Sequence, residues 1–178
     1  MKNRKLIYLT GFLFALSFFI PPNGWTQPKP EAKGPIITHA FAVNKGGYGY
    51  IWKIYIEAEA GDANMSRIAM VVDEPGFGRY PTDWLIVKPP YQKHLKGYLQ
   101  WNTHSVSGRL QEWTEITLKV SIIDKAGNES NVAVFPFTFE TGVKDQYNYK
   151  LPAPFDQWDI PKLGYIDIDL FPPGGGGF

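Results

Sequence analysis

Residues 115–140, EITLKVSIIDKAGNESNVAVFPFTFE, contain two apolar, β-rich runs joined by a compact polar turn. Ile116, Leu118, Val120 and Ile122 alternate with Thr117, Lys119 and Ser121, the period of two expected of a strand with one face buried and the other wet. Asp124-Lys-Ala-Gly places Asp first and Gly fourth in a type I turn, and Gly127 can take the positive φ that a bulged return needs. Ala133, Phe135, Phe137 and Phe139 then form the inward face of the returning strand. Pro136 has no N–H to give a neighbour, which puts that strand at a sheet edge. The stretch is a β-hairpin.

Upstream the same pattern repeats. Ile36 to Val43 reads as a strand, the turn residues from Asn44 to Gly49 follow, and Tyr50, Trp52, Ile54, Ile56 and Ala58 alternate with Lys53, Tyr55, Glu57 and Glu59. After Gly61-Asp-Ala-Asn comes Arg67 to Asp73, with Ile68, Met70 and Val72 inward. Glu74 to Pro90 is less regular, with Gly and Pro at both ends of the short apolar run Trp84 to Val87, and reads as a loop with a brief edge strand. Leu95, Gly97, Leu99 and Trp101 define one more strand. No useful helical periodicity appears between Gly34 and Gly142. About seven short strands with a turn every ten or so residues describe an all-β antiparallel sandwich over 36–142.

The chain has 178 residues, 44% hydrophobic and 16% aromatic, enough for one core with extensions. Its start combines Lys2, Arg4 and Lys5 with an apolar run from Leu6 to Ile20 and a Pro-Pro-Asn-Gly breaker, the layout of a secretory signal over 1–26. The run is shorter than the roughly 20 residues of a membrane-crossing helix. Gly24-Trp25-Thr26 is the best cleavage candidate, and an uncleaved anchor stays open. Residues 27–35 form a Pro/Lys-rich spacer. An exported destination, periplasmic or extracellular, is therefore expected. Of the 18 basic residues, the loss of Lys2, Arg4 and Lys5 leaves 15 against 17 acidic ones, a net of −2 with no basic stripe for nucleic acid. The chain has no cysteine, so it needs no disulfide and has no bacterial lipobox anchor.

The run Ile116-x-Leu-x-Val-x-Ile-x-Asp124-Lys-Ala-Gly-Asn-Glu-Ser130 resembles the penultimate strand and final hairpin of bacterial immunoglobulin-like and fibronectin type III-like modules, where a D-x-A-G-N-x-S turn is common. The resemblance covers this hairpin strongly and the preceding eighty or so residues through strand count and spacing alone. It implies a sandwich used for spacing, display or binding in secreted proteins, with no active site. Where such modules often carry a corner tyrosine this chain has Ile116, and Trp113 is a candidate to fill the space.

Catalysis finds little support. No serine sits in a Gly-flanked elbow, His104 and Ser105 are neighbours in a polar loop, and His39 and His94 are united by no spacing. No cofactor and no metal is expected. Asp62, Asn64 and Ser66 alternate in a turn that could present oxygens to calcium, and Asp124, Asn128 and Glu129 do the same at the hairpin end, but both sets are ordinary turn chemistry. Phe77, Tyr80, Trp84 and Tyr91 crowd one irregular segment; exposed, they would stack on a sugar or anchor a peptide, and otherwise they cap the core. Lys88, Lys93, His94 and Lys96 form a modest basic patch read as a solvated face.

After Gly142 the composition turns to Pro and aromatic residues, a C-terminal extension over 143–178 that is too aromatic for a disordered linker. Tyr147, Tyr149, Phe155 and Trp158 need a receiver, most simply the sandwich itself. In the segment 164–171, Ile166, Ile168 and Leu170 alternate with Asp167 and Asp169, the pattern of a strand, and Tyr165, Ile166, Ile168 and Leu170 are candidate docking residues at an open edge. That edge is expected to be the Pro136 strand, of this chain, of a second copy or of another protein. Function is expected to be protein binding or assembly at the cell envelope, by an envelope or extracellular partner or by self-association, with carbohydrate binding through residues 77–91 as the alternative.

Overall fold

The computed structural model describes residues 34–47, 49–61, 64–103, 113–140, 142–143 and 147–170. The leader read over 1–26, most of the spacer, and Asp62, His104 and Ser105 lie outside them. Ten strands occur in the described residues: β1 (Ile36–Phe41), β2 (Lys45–Gly46), β3 (Ile51–Glu59), β4 (Met65–Glu74), β5 (Gly78–Arg79), β6 (Asp83–Ile86), β7 (His94–Asn102), β8 (Glu115–Asp124), β9 (Ala133–Phe139) and β10 (Lys162–Ile166). They make two sheets. One has the order β1-β3-β7-β10, and the other β2-β9-β8-β4-β5, with β6 also on β4. Three of the ten are two-residue or four-residue edge pieces, which is why a count of hydrophobic runs comes out lower.

The alternation fixes which face each strand buries. Trp52, Ile54, Ile56 and Ala58 of β3 and Leu95, Leu99 and Trp101 of β7 face Ile68, Met70 and Val72 of β4, Leu118 and Val120 of β8, and Phe135 and Phe137 of β9. Each such fully buried side chain contributes on the order of 1.5–3 kcal/mol of hydrophobic free energy. In the middle of this core Trp52 and Trp101 are register partners with ring centroids 6.0 Å apart.

The β8–β9 hairpin closes as its residues dictate. Gly127 donates to the Asp124 carbonyl at 3.2 Å and has φ of 89°. The Asp124 side chain accepts the Ala126 and Asn128 backbone N–H groups, both at 2.8 Å, and the Asn128 amide at 2.8 Å. The Ser130 hydroxyl oxygen accepts the Ile122 N–H at 2.9 Å.

In chain order β1, β3, β4, β7, β8 and β9 follow the A, B, C, E, F and G path of an immunoglobulin sandwich, and β5 and β6 extend the C side. The position beside E, which strand D holds in that plan, is taken here by β10 from the C-terminal extension, running parallel to β7. The extension therefore docks within its own chain, and not on the Pro136 strand. Its pairing covers 162–166, starting two residues before the 164–171 expected from the sequence, because Tyr98 N–H already bonds the Pro161 carbonyl at 3.0 Å. The apolar face has the phase that the sequence predicts, with Ile166, Ile168 and Leu170 all buried.

Trp113 does not fill the corner. It is exposed, with φ of 69°, and its backbone N–H donates to the Phe139 carbonyl at 2.8 Å.

Candidate functional site

A two-sheet sandwich has two flanks where the edge strands of its sheets face each other. One flank lies between β6 and β10, the other between β1 and β9. On the first, Leu163 fits over Gly97, whose missing Cβ would lie 2.6 Å from the Leu163 side chain, and Leu85 fits over Gly164 in the same way at 2.6 Å. Asp83 accepts the Asp167 N–H at 2.8 Å, and the Trp101 indole donates to the buried Ile168 carbonyl at 3.0 Å. The tail seals this flank.

The β1/β9 flank stays open over part of its length. Thr138 and Glu140 turn their N–H groups outward to Asn44 and Gly46, so by alternation Val134 and Pro136 face outward too. The two-residue β2 covers the strand from Thr138 onward and leaves Val134 and Pro136 uncovered. At the other end the Asn131 carboxamide spans the sheets: Ile37 N–H donates to its Oδ1 at 2.8 Å, and its Nδ2 donates to the Ile37 carbonyl at 3.1 Å. Between these clamps lies a groove of about 580 Å³ walled by Phe41, Val43, Val134, Phe135 and Pro136. Val132 and Val134 are exposed beside it. Trp52 ties down the Val43 wall by donating its indole N–H to the Val43 carbonyl at 2.8 Å.

The aromatic segment divides. Tyr80 is only 2% exposed, its hydroxyl bonded to the buried Glu74 carboxylate, and Phe77 stacks on its ring at 4.5 Å. Tyr91 is half-buried beside Leu85, Leu95 and Leu163. Trp84 alone of the four is well exposed, at 47%, with the Arg67 guanidinium 4.8 Å above its ring. The four rings do not share one surface.

Three of the extension's aromatic residues are received as a strap, Tyr149 and Phe155 on the outer face of the four-stranded sheet and Tyr147 against the core residue Tyr50. Tyr147 stacks on Tyr50 at 5.0 Å, Tyr149 meets Phe41 at 6.1 Å, and Phe155 meets Tyr55 at 5.7 Å. Burial pushes the Tyr50 and Tyr55 phenols well above the usual tyrosine range, and the neighbouring Tyr149 hydroxyl, hydrogen-bonded with both, adds to it. Trp158, expected in the same company, is not received: at 105% it is fully exposed.

The structure also unites residues that spacing left apart. His39 Nδ1 and His94 Nε2 approach the two oxygens of Glu57 at 3.0 and 3.4 Å, and Lys96 Nζ is 4.0 Å away. Only the register exposes this: Glu57 lies opposite His39 on one side and Lys96 on the other. The ammonium of Lys96 sits where a cation would serve this carboxylate. Among the described residues no group of three or more His, Cys, Asp or Glu is arranged to hold a metal ion. At the hairpin end the Asp124 oxygens are already taken up by three donors.

Fold and edges together define an immunoglobulin-like β-sandwich whose fourth strand in one sheet is supplied by a C-terminal strap. No protein-family model matches the chain, and no curated protein matches it. Among solved structures it is similar to the PKD domain of an M14-like peptidase from Thermoplasmatales archaeon SCGC AB-540-F20, with a TM-score of 0.41 and 13% identity, covering 61% of this chain and 98% of that one.

Proposed function

We propose that the protein is an exported, non-enzymatic module that binds or assembles with another protein at the cell envelope, through the open flank between β1 and β9. The observation that carries this reading is the apolar groove beside the outward-facing main chain of Val134. A segment laid there in extended form gains main-chain hydrogen bonds from Val134 and apolar contact from Phe41, Val43 and Phe135. Pro136 offers a carbonyl and no N–H, so pairing is confined to the stretch before it. The occupant is therefore a short, extended, apolar segment of a partner protein, and the net charge gives it no electrostatic steering.

The test is affinity recovery from the native envelope with the intact protein and with Val134→Asp. A protein retained by the first and lost, tenfold or more, with the second supports the reading. Equal recovery by both moves the binding surface elsewhere, and recovery of no protein by either overturns protein binding.

A further inference from the structure

We propose that the tail strand β10 is exchanged between two copies of this chain, each donating its strand to the cleft between β6 and β7 of the other. This goes beyond the reading given above: it concerns the opposite flank and names a second copy as partner. The cleft is built for a strand. Gly97 leaves the notch that Leu163 fills, Gly164 in the incoming strand leaves the notch for Leu85, and the Trp101 indole waits for a carbonyl at the Ile168 position. Without an occupant Leu95, Leu99 and Trp101 lose their cover on that side, so the site is incomplete until a strand arrives. Donor and acceptor lie on one chain, and the contacts made are identical whether the strand comes from its own molecule or from a neighbour, which makes exchange a low-cost route to an assembly.

Two features of the tail assign the second copy. The strap's last anchor is Phe155 and the strand's first bond is at Pro161, while residues 156–159, Asp-Gln-Trp-Asp, are exposed at every position. Fully extended, the segment from Phe155 to Pro161 reaches on the order of 20 Å, enough to cross to an adjacent sandwich. The centre of this crossover is Trp158. Trp158 is the most exposed tryptophan among the described residues, at 105% against 47% for Trp84 and 64% for Trp113, and the crossover is where two exchanged copies would meet and cover it.

The absence of cysteine gives a clean test in the full chain. Tyr165 and Gln100 are register partners, one on β10 and one on β7. Chains carrying only Gln100→Cys and chains carrying only Tyr165→Cys are co-expressed and oxidised. Exchange yields a disulfide-linked heterodimer, and adding Trp158→Ala lowers its yield fivefold or more. The double variant on one chain is the companion measurement. Cross-linking there within single chains, with no heterodimer from the single variants, overturns exchange; failure of both to cross-link removes the tail from the cleft and overturns it as well. Because this uses purified protein alone, it is independent of whether an envelope partner is recovered through Val134.

Discussion

The two flanks of the sandwich solve the same problem in opposite ways. Unpaired edge backbone invites another strand, and a folded chain must fill, block or cover it. The β6/β10 flank is filled: a remote segment of the chain is inserted as a strand, with glycines on both sides to admit leucines. The β1/β9 flank is instead blocked only in part, by a proline, a two-residue strand and one asparagine side chain, and stays open between them. The central tryptophan pair registers this difference, since Trp101 bonds the tail and Trp52 bonds the connection beside the groove. A filled edge is part of the core and costs stability when disturbed. A blocked edge is decoration on a finished fold, so changes there alter association more than stability.

The largest effect is expected at the filled flank. Gly97→Val places a Cβ 2.6 Å from Leu163 and 2.7 Å from the Pro161 carbonyl, a backbone atom that cannot swing aside. The tail must leave, and about 3 kcal/mol or more is lost. Urea denaturation gives the loss, and limited proteolysis shows the strap cut near Phe155. A variant of near-native stability with a protected tail would break the claim that this edge belongs to the core.

The hairpin turn that joins β8 to the open edge ranks next. Removing the Asp124 side chain in Asp124→Ala strands the Ala126 and Asn128 N–H groups, at a cost of about 2 kcal/mol. Burial pushes this carboxyl up, but the hydrogen bonds from Asn128, Ala126 and Gly127 outweigh it and hold the group below the usual carboxylate range. Arg79 and then Lys119 do the same for Asp73. A folded pKa below the unfolded value of about 3.9 means that the stabilisation is full above that value and drains away as pH falls through the folded one. The acid limb of a thermal-melting profile should therefore flatten in Asp124→Ala relative to the parent below pH ~4. Identical acid limbs would remove Asp124 from the account.

Much of the fold was legible because period two survives in nearly every core strand, and the turn at Asp124 to Gly127 closes locally. The phase of the tail was legible for the same reason. Its destination was not: alternation says that Ile166, Ile168 and Leu170 want cover, but the receiving edge depends on where Gly97 and Leu85 stand in three dimensions. The Pro136 strand was correctly placed towards an edge, and the inference that the tail covers it failed because the residues that match the tail, Gly97 under Leu163 and Leu85 over Gly164, stand on the other flank. Of the candidate site, Tyr80 and Trp84 are indistinguishable in sequence, four residues apart in an irregular segment. One turns into the core against Glu74 and the other lies outside under Arg67. His39, Glu57 and His94 meet only through the pairing of three strands, information that no local spacing carries.

At the blocked flank the clamp is the next test. Asn131→Ala removes both bonds to the Ile37 backbone, and because Asn131 is exposed and water can replace it, the expected loss is about 1 kcal/mol. Amide hydrogen exchange at Ile37 should accelerate tenfold or more, while amides in β7 beside the tail keep their rates. Acceleration of both together would mean that the two flanks open as one unit.

The smallest stability effect, and the sharpest use of the comparison, belongs to Pro136. Its nitrogen faces the open side and not β8, so the ladder that holds β9 in the sheet loses nothing by it. Pro136→Val is thus expected to leave stability within about 0.5 kcal/mol of the parent. It restores an outward N–H two residues after Val134, extending the free edge towards the part covered by β2, and adds a β-branched side chain next to exposed Val132 and Val134. Association at that edge should then rise, seen as concentration-dependent sedimentation that Val134→Asp suppresses and that Gln100→Cys/Tyr165→Cys cross-linking of the other flank does not touch. If Pro136→Val destabilises the fold by several kcal/mol while leaving association unchanged, the proline is a packing residue and the edge was never guarded.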